Sequence, residues 1–369
     1  MNMSDQEKEL RVLRDQIDQI DQQIQSLLNQ RALCAQQVAE VKQKHQGQGD
    51  AVFYRPEREA QVLRRVMARN SGPLPAQDVA RLFREIMSVC LALEQPMRIA
   101  FLGPEGTFTQ QAAVKHFGLS AITAPLGTLD EVFREVEAGT AHYGVVPVEN
   151  SNEGMVNHTL DLFGRFQLSI VGEVELKIHH HLLMKAGADR HHVTRIYATQ
   201  QALAQCRRWL DAHYPSVERI TVATNADAAR QASADAEVGL GAAIGTELAI
   251  ELYPLQVAVR NVEDQAESSS RFLILGRQEV GPSGKDKTSL LICAHDKPGA
   301  LYELLAPFRA RGISLTRIET RTLSGPWNMV FYIDFEGHVA DPEVQALIKE
   351  LESESVELKL LGSYPQAVL

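Results

Sequence analysis

The sequence predicts a multidomain chain: an all-α segment, then a two-lobed α/β segment, then a small α+β segment of ferredoxin-like order. Three observations carry this. Apolar residues recur at steps of three and four up to Gln95, short β-rich runs alternate with helical stretches in the middle, and the stretch from 285 onward reads β-α-β-β-α-β. At 369 residues the chain is too long for one ordinary core, and the expected divisions are 1–96, 97–279 and 285–369.

In the first segment Leu10, Leu13, Ile17, Ile20, Ile24 and Leu27 form a heptad seam, which continues through Arg31, Cys34, Val38 and Val41. Gly47, Gly49 and Asp50 end this helix, and Pro56 suits the first position of the next. After the breaker run 70–75, a third helix carries Val79, Leu82, Phe83, Ile86, Met87 and Cys90 on one face. A first helix of about 36 residues would be roughly 54 Å long. Two shorter helices cannot cover such a seam, so a partner chain is expected, making the protein at least a homodimer.

After Pro96 short strands are expected at 98–102, 143–147, 236–240 and 271–275, with helices between them. The glycine- and proline-containing run 281–286 reads as a linker. Beyond it, strands at 288–294, 313–323, 329–335 and 356–361 alternate with helices at 299–311 and 342–352, and Ser324-Gly325-Pro326 forms a turn.

Hydrophobic content of 44% with 23% charged residues is ordinary for a soluble globular protein. The net charge of −10 argues against a nucleic-acid partner, so an anionic substrate needs a local basic pocket. The scattered Cys34, Cys90, Cys206 and Cys293 read as free thiols in a reducing compartment. The polar start, Met1 to Glu9, is unlike a signal peptide, and no apolar run reaches the roughly 20 residues that span a bilayer. A cytoplasmic protein without membrane contact is expected.

Arg31 occupies a seam position that the heptad reserves for an apolar side chain. A guanidinium buried there needs an anion or hydrogen-bond partner. Two readings fit: Arg31 fixes register or oligomer state, or it binds an anionic ligand. Arg14 and Lys42 flank the seam, and Arg14 lies roughly 25 Å from Arg31 along the helix. If both serve one site, Arg14 comes from an antiparallel partner. Glu94 extends the stripe of Met87 and Cys90, either as a fraying helix end or as a carboxyl expected to titrate above its usual range.

In the middle segment Gly103-Pro-Glu-Gly-Thr-Phe-Thr109 follows a strand and precedes a helix, a turn suited to an anion or simply a strand-to-helix connection. The run from Val146 to Gly154 places Glu149, Asn150 and Ser151 just after a strand, and Ser268-Ser-Ser-Arg-Phe272 sets hydroxyls beside an arginine. His179-His-His181 and His191-His192 invite a zinc reading, but no carboxylate or cysteine stands at a convincing spacing, so no metal is expected. Gly239-Leu-Gly-Ala-Ala-Ile-Gly245 nearly imitates a dinucleotide fingerprint with one residue too many, and no cofactor is expected.

Leu13-Arg14, Leu27-Leu28 with Arg31, Val41-Lys42 and Arg58-Glu59 resemble the all-helical chorismate mutase family, whose long helices cross between subunits. The resemblance implies that Arg14 of the other chain and Arg31 bind the carboxylates of chorismate. Lys42 would meet the ether oxygen, with Arg58, Glu59, Cys90 and Glu94 nearby. Arg55 stands where some members carry an acid. The three motifs of the middle segment, in this order, resemble prephenate dehydratase. That implies two α/β lobes like a periplasmic binding protein, with Thr107, Thr109, Asn150, Ser151, Ser270, Arg271 and Phe272 around the cleft and Gln201 from the second lobe. Arg271 suits bidentate carboxylate binding, and Ser270 stands where the family usually has threonine. The last segment resembles the ACT domain, a phenylalanine sensor. Its ligand motifs map onto Pro298, Gly299, Ala300, Leu301, Glu319 and Arg321, within the runs from Asp296 and Arg317. Together these resemblances imply the bifunctional chorismate mutase/prephenate dehydratase family: chorismate to prephenate to phenylpyruvate, inhibited by L-phenylalanine. The alternative is a non-catalytic two-lobed small-molecule sensor with an ACT domain.

Overall fold

The computed structural model describes residues 5–45, 52–151, 154–235, 240–265, 267–294, 297–322 and 329–369. The helix end expected at Gly47–Asp50, the turn at 324–326, Asn152, Glu153 and Asp296 lie outside the described residues, as does most of the strand expected at 236–240. The neighbouring strand begins at Gly241 instead.

Three helices come first: α1 (Asp5–His45), α2 (Pro56–Arg69) and α3 (Ala76–Glu94). Pro56 opens α2 at a position where its missing N–H costs nothing. Helix α1 extends about 60 Å and meets α3 near its C-terminal end, where Ala39 is buried. Its seam is otherwise bare: Leu13, Ile17, Ile20, Ile24 and Leu27 are each about half exposed.

The first α/β lobe contains β1 (Arg98–Leu102), α4 (Phe108–Phe117), β2 (Ile122–Leu126), α5 (Leu129–Glu137), β3 (Tyr143–Asn150), β4 (Gly154–Met155), α6 (Asn157–Arg165) and β5 (Ser169–Lys177). The second holds β6 (His181–Lys185), β7 (Arg195–Ala198), α7 (Gln200–Gln205), α8 (Arg207–His213), β8 (Glu218–Thr221), α9 (Asn225–Ala234), β9 (Gly241–Gly245), α10 (Ala249–Leu252) and β10 (Leu255–Val259). The chain then returns to the first lobe as β11 (Ser269–Gly276), between β3 and β5 in the order β2-β1-β3-β11-β5. The second sheet runs β10-β6-β9-β7-β8. Two segments therefore cross between lobes, and the histidine run staples them. Glu263 accepts from His179 Nδ1 at 2.8 Å and from the His180 backbone N–H at 2.9 Å. Among the described residues, no group of three or more His, Cys, Asp or Glu is placed to hold a metal. The glycines of 241–245 lie in β9, fully buried, and a Cβ on Gly245 would crowd Leu183 at 3.0 Å. That run is a sheet interior, not a phosphate-binding turn.

The last segment is β12 (Asp286–Ala294), α11 (Ala300–Ala310), β13 (Leu315–Thr322), β14 (Met329–Glu336), α12 (Pro342–Glu354) and β15 (Ser355–Pro365), in sheet order β13-β14-β12-β15. It is not a tethered module. Leu291, Cys293, Val330, Tyr332, Leu361 and Tyr364 share one apolar core with Phe133, Leu162, Phe163 and Leu273 of the first lobe. The linker is also held: Arg64 of α2 donates to Ser283 Oγ at 2.9 Å and to the Lys285 carbonyl at 2.9 Å.

Candidate active sites

At the junction of α1 and α3, Lys42 Nζ lies 3.8 Å from Glu94 Oε2 and donates to the Phe53 carbonyl at 3.1 Å. Glu94 Oε2 is buried without a hydrogen-bond partner. Burial raises the Glu94 pKa, and the charges of Lys42 and Arg31 oppose that rise. A carboxyl in this setting holds its proton closer to neutral pH than a free one does. Cys90 is buried one helical turn before Glu94. Arg31, Lys42, Cys90 and Glu94 thus face one region, while Arg14 stays far along the exposed part of α1. Arg58 is exposed on α2.

Glu59 turns elsewhere. Its Oε1 lies 3.0 Å from Arg84 Nε, off the N–H line, and burial raises its pKa against the opposing charge of Arg84. Arg84 in turn donates to the Lys115 and His116 carbonyls at 2.9 and 2.8 Å. His116 meets the Tyr54 hydroxyl at 2.9 Å, and burial, then Arg84, push its pKa well below the ordinary value of 6.5. Sequence reasoning missed this junction because neither side is unusual in isolation. Only docking α4 against α2 and α3 makes Tyr54 and His116 neighbours.

In the α/β lobes, strand pairing sets the geometry. Asn150 faces Ser270 across β3 and β11, and Asn150 Nδ2 donates to Ser270 Oγ at 2.9 Å. One residue on, Ser151 Oγ accepts from the Ser269 N–H at 3.0 Å, and the Ser269 carbonyl accepts from the Ser151 N–H at 2.9 Å. Ser151 and Ser268 open onto an interlobe cavity of about 650 Å³, lined from the second lobe by Gln201, Gln205, Arg207, Arg208, Glu263 and Asp264. Gln205, Arg207 and Arg208 were not expected at the site. Their signal was the position of Gln205 four residues after Gln201, on the same face of α7. The Gln205 side-chain carbonyl accepts from His180 Nε2 at 2.6 Å, while its amide nitrogen is buried and unpartnered.

The turn before α4 touches the second lobe. Gly106 has φ of 84°, and its carbonyl accepts from Thr246 Oγ1 at 2.8 Å. A side chain there would crowd Leu252 at 3.3 Å and strain the left-handed backbone. Thr107 caps α4, accepting from the Gln110 N–H and donating to the Pro104 carbonyl at 3.0 Å, and Thr109 is buried just beyond. Phe272 is a core residue, packed with Ile99, Phe117 and Tyr143. The alternation of β11 puts it on the face opposite Arg271, where it is buried in the core of the first lobe.

Arg271 also departs from expectation. Its guanidinium is engaged on every nitrogen: Nε with Glu173 at 2.9 Å, Nη1 with Asp334 at 2.6 Å and Nη2 with the Tyr364 hydroxyl at 3.0 Å. Burial alone would lower its pKa, but Tyr364, Asp334 and Glu173 outweigh that and raise it. Ser289 donates to Asp334 at 2.6 Å and meets the Tyr364 hydroxyl at 2.8 Å, while Lys287 binds both oxygens of Glu173. Three of its five N–H groups are thus used within the protein.

In the terminal segment Pro298 precedes Gly299, which enters α11 with φ of 85°, and Ala300 and Leu301 form its first turn. Glu319 and Arg321 lie on β13 at the sheet edge, and Arg321 Nη2 binds both oxygens of Asp161 on α6 at 3.0 Å.

Among the described residues no helix is long and apolar enough to cross a membrane. Comparisons with known proteins match the three segments separately and together. The prephenate dehydratase family matches residues 99–280, chorismate mutase type II matches 13–95, and the ACT domain matches 288–353. A bifunctional chorismate mutase/prephenate dehydratase from Pseudomonas aeruginosa is 55% identical over 369 residues, covering 100% of both chains. One of the same name from Stutzerimonas stutzeri is 55% identical over 363 residues, 98% of this chain and 99% of its own. The crystal structure of a prephenate dehydratase from Arthrobacter aurescens in complex with L-Phe aligns with a TM-score of 0.68 at 33% identity, covering 74% of this chain and 93% of that one. This chain belongs to the bifunctional chorismate mutase/prephenate dehydratase family.

Proposed function

We propose that the chain rearranges chorismate to prephenate at the α1–α3 junction and converts prephenate to phenylpyruvate between the α/β lobes, under inhibition by L-phenylalanine. The single observation that carries this is the Asn150–Ser270 pair next to Ser151, which lines a polar interlobe cavity, in a chain that also holds a buried cation–carboxyl group on its N-terminal helices.

The first reaction is pericyclic and needs no nucleophile. It needs the dicarboxylate held in its folded conformer and the ether oxygen stabilised as charge develops. Lys42 supplies the cation, and Glu94 supplies a second hydrogen bond when protonated, because an ether oxygen only accepts. Arg31 binds a carboxylate. The other cation, Arg14, comes from a second copy of the chain laid along the bare seam of α1, which makes the protein a homodimer or larger. Arg58 borders this site, while Glu59 anchors it to the α/β lobes through Arg84.

In the second reaction the ring C–carboxylate bond breaks, its electron pair enters the ring and the C–OH bond breaks with loss of hydroxide. Carbon dioxide and hydroxide are thus released as the ring becomes aromatic. Ser270, oriented by Asn150, hydrogen-bonds the departing hydroxyl. Ser151 and Gln201 line the pocket, and Arg207 and Arg208 supply the local positive charge that a chain of net charge −10 requires. Thr107 and Thr109 shape the lobe contact at Gly106. L-phenylalanine binds the ACT sheet at Pro298–Leu301 with Glu319 and Arg321. These are reactions of cytoplasmic biosynthesis.

A chromatographic time course of chorismate with the pure protein, with and without L-phenylalanine, tests the whole reading. Passage through prephenate to phenylpyruvate, slowed by phenylalanine, supports it. Chorismate and prephenate both left untouched would turn the assignment to a two-lobed sensor.

A further inference from the structure

The Asn150–Ser270 pair sits beside a second cross-strand pair, Glu149 opposite Arg271. Adjacent strand residues point to opposite faces, and this second pair is held entirely by the ACT sheet and Glu173. Arg271 is bound by Asp334 of β14 and Tyr364 of β15. Glu149 is bound by Arg317 Nη2 of β13. The other terminal nitrogen of Arg317, Nη1, reaches the Met155 sulfur at 3.1 Å. Met155 pairs with Glu149 across β3 and β4, so one ACT guanidinium spans both arms of the hairpin that presents Asn150 and Ser151. A cavity of about 310 Å³ lies here, bordered by Glu149, Ser151, Ser270, Lys287 and Arg317. Catalytic loop and sensor sheet thus meet at one guanidinium.

We propose that Arg317, a residue of the ACT domain, is a positioning residue of the dehydratase site. It clamps the Glu149–Met155 hairpin so that Asn150 and Ser151 are aligned with Ser270. The inference rests on the functional reading above. It implies that a shift of β13 reaches Asn150 through the Arg317–Glu149 ion pair. An arginine suits this task, since its planar fork meets a carboxylate and a second acceptor at once. A lysine offers one point charge and cannot span both arms.

The test uses the full chain as wild type, Arg317→Gln, Glu149→Gln and the double variant. Initial rates of phenylpyruvate formation are measured over a range of prephenate concentrations and L-phenylalanine concentrations. Mutase rates of the same preparations and their thermal melting report the fold. Each single change is expected to lower the dehydratase kcat about tenfold or more, with KM little altered and the mutase rate retained. The double variant is expected to fall no further than the worse single one, because both remove the same contact. In Arg317→Gln the half-inhibiting phenylalanine concentration shifts about fivefold or more, although calorimetry still detects binding. Wild-type kcat and wild-type phenylalanine response in Arg317→Gln overturn the inference, as does a strictly additive double variant. If Arg317→Gln loses its mutase rate, Arg317→Lys decides: a normal fold and undiminished dehydratase kcat overturn the spanning role, and a lowered kcat supports it. Failure of wild-type protein to consume prephenate would instead sink the functional reading, so the two outcomes are distinct.

Discussion

Asn150 Nδ2 and Ser270 Oγ are 2.9 Å apart because β3 and β11 bring opposite each other two residues that stand 120 positions apart in the chain. The whole second lobe is inserted between these strands. A hydroxyl fixed in this way can offer its proton in a constant direction to a leaving group.

Replacing Ser270 by alanine removes that donor. The dehydratase kcat is expected to fall about a hundred- to a thousandfold, the typical cost of losing one aimed donor. The mutase rate should stay within error of wild type, and Ser270→Thr should remain active. Phenylpyruvate formation measured beside chorismate loss reads both. A Ser270→Ala enzyme with an intact dehydratase rate removes Ser270 from the mechanism.

The mutase is expected to respond to pH through Glu94. Its pKa is raised by burial, and only the protonated form donates to an ether oxygen. Activity therefore rises as pH falls toward that raised pKa. Glu94→Gln donates at every pH, so its profile should flatten. An unchanged profile in the glutamine variant rules Glu94 out as the titrating group.

Loss of Arg271 should act on stability before chemistry. Alanine there leaves Glu173 and Asp334 buried with fewer partners, a change that typically costs about 3–5 kcal/mol. A lower urea midpoint in Arg271→Ala, with loss of dehydratase and phenylalanine response together, is expected. If denaturation is unaltered and only KM for prephenate rises, the guanidinium binds substrate instead.

The Tyr54–His116 contact predicts acid weakening of the junction between the helical and α/β segments. His116 has its pKa pushed well below 6.5 in the folded chain, so below that pH the unfolded chain takes up a proton that the folded one does not. Stability is thus fully present above the unfolded value and is lost as pH falls toward the folded one. Tyr54 bonds His116 directly and Arg84 places positive charge beside it, while Glu59 and Glu173, on the wall of the same cavity, are paired with Arg84 and with Arg271 and Lys287. Thermal melting between neutral pH and pH 5 should show a steeper decline in wild type than in His116→Gln. Equal slopes would remove His116 as the source.

Much of the architecture was legible in the chain itself. Heptad spacing marked α1 and its need for cover, and short β-rich apolar runs marked β1, β3, β11, β12 and β14, because such patterns are local. Arg31 and Glu94 stood out as polar residues in apolar stripes, which is also a local signal. Ser270 and Asn150 stood in two separate motifs, joined at one site only by the family resemblance, and their contact is a matter of strand register.

What the sequence by itself determined was therefore the three segments, their order and the residue types available for chemistry. The tertiary structure alone decided which way Arg271, Phe272 and Glu59 point, that Gln205 and its neighbours line the cleft, and that Arg317 reaches Glu149. Those outcomes depend on register and on docking between segments distant in the chain, 93 residues for Arg271 and Tyr364 and 168 for Glu149 and Arg317. A single residue's slip in register would exchange the faces of β11 and move Arg271 to where Ser270 now stands.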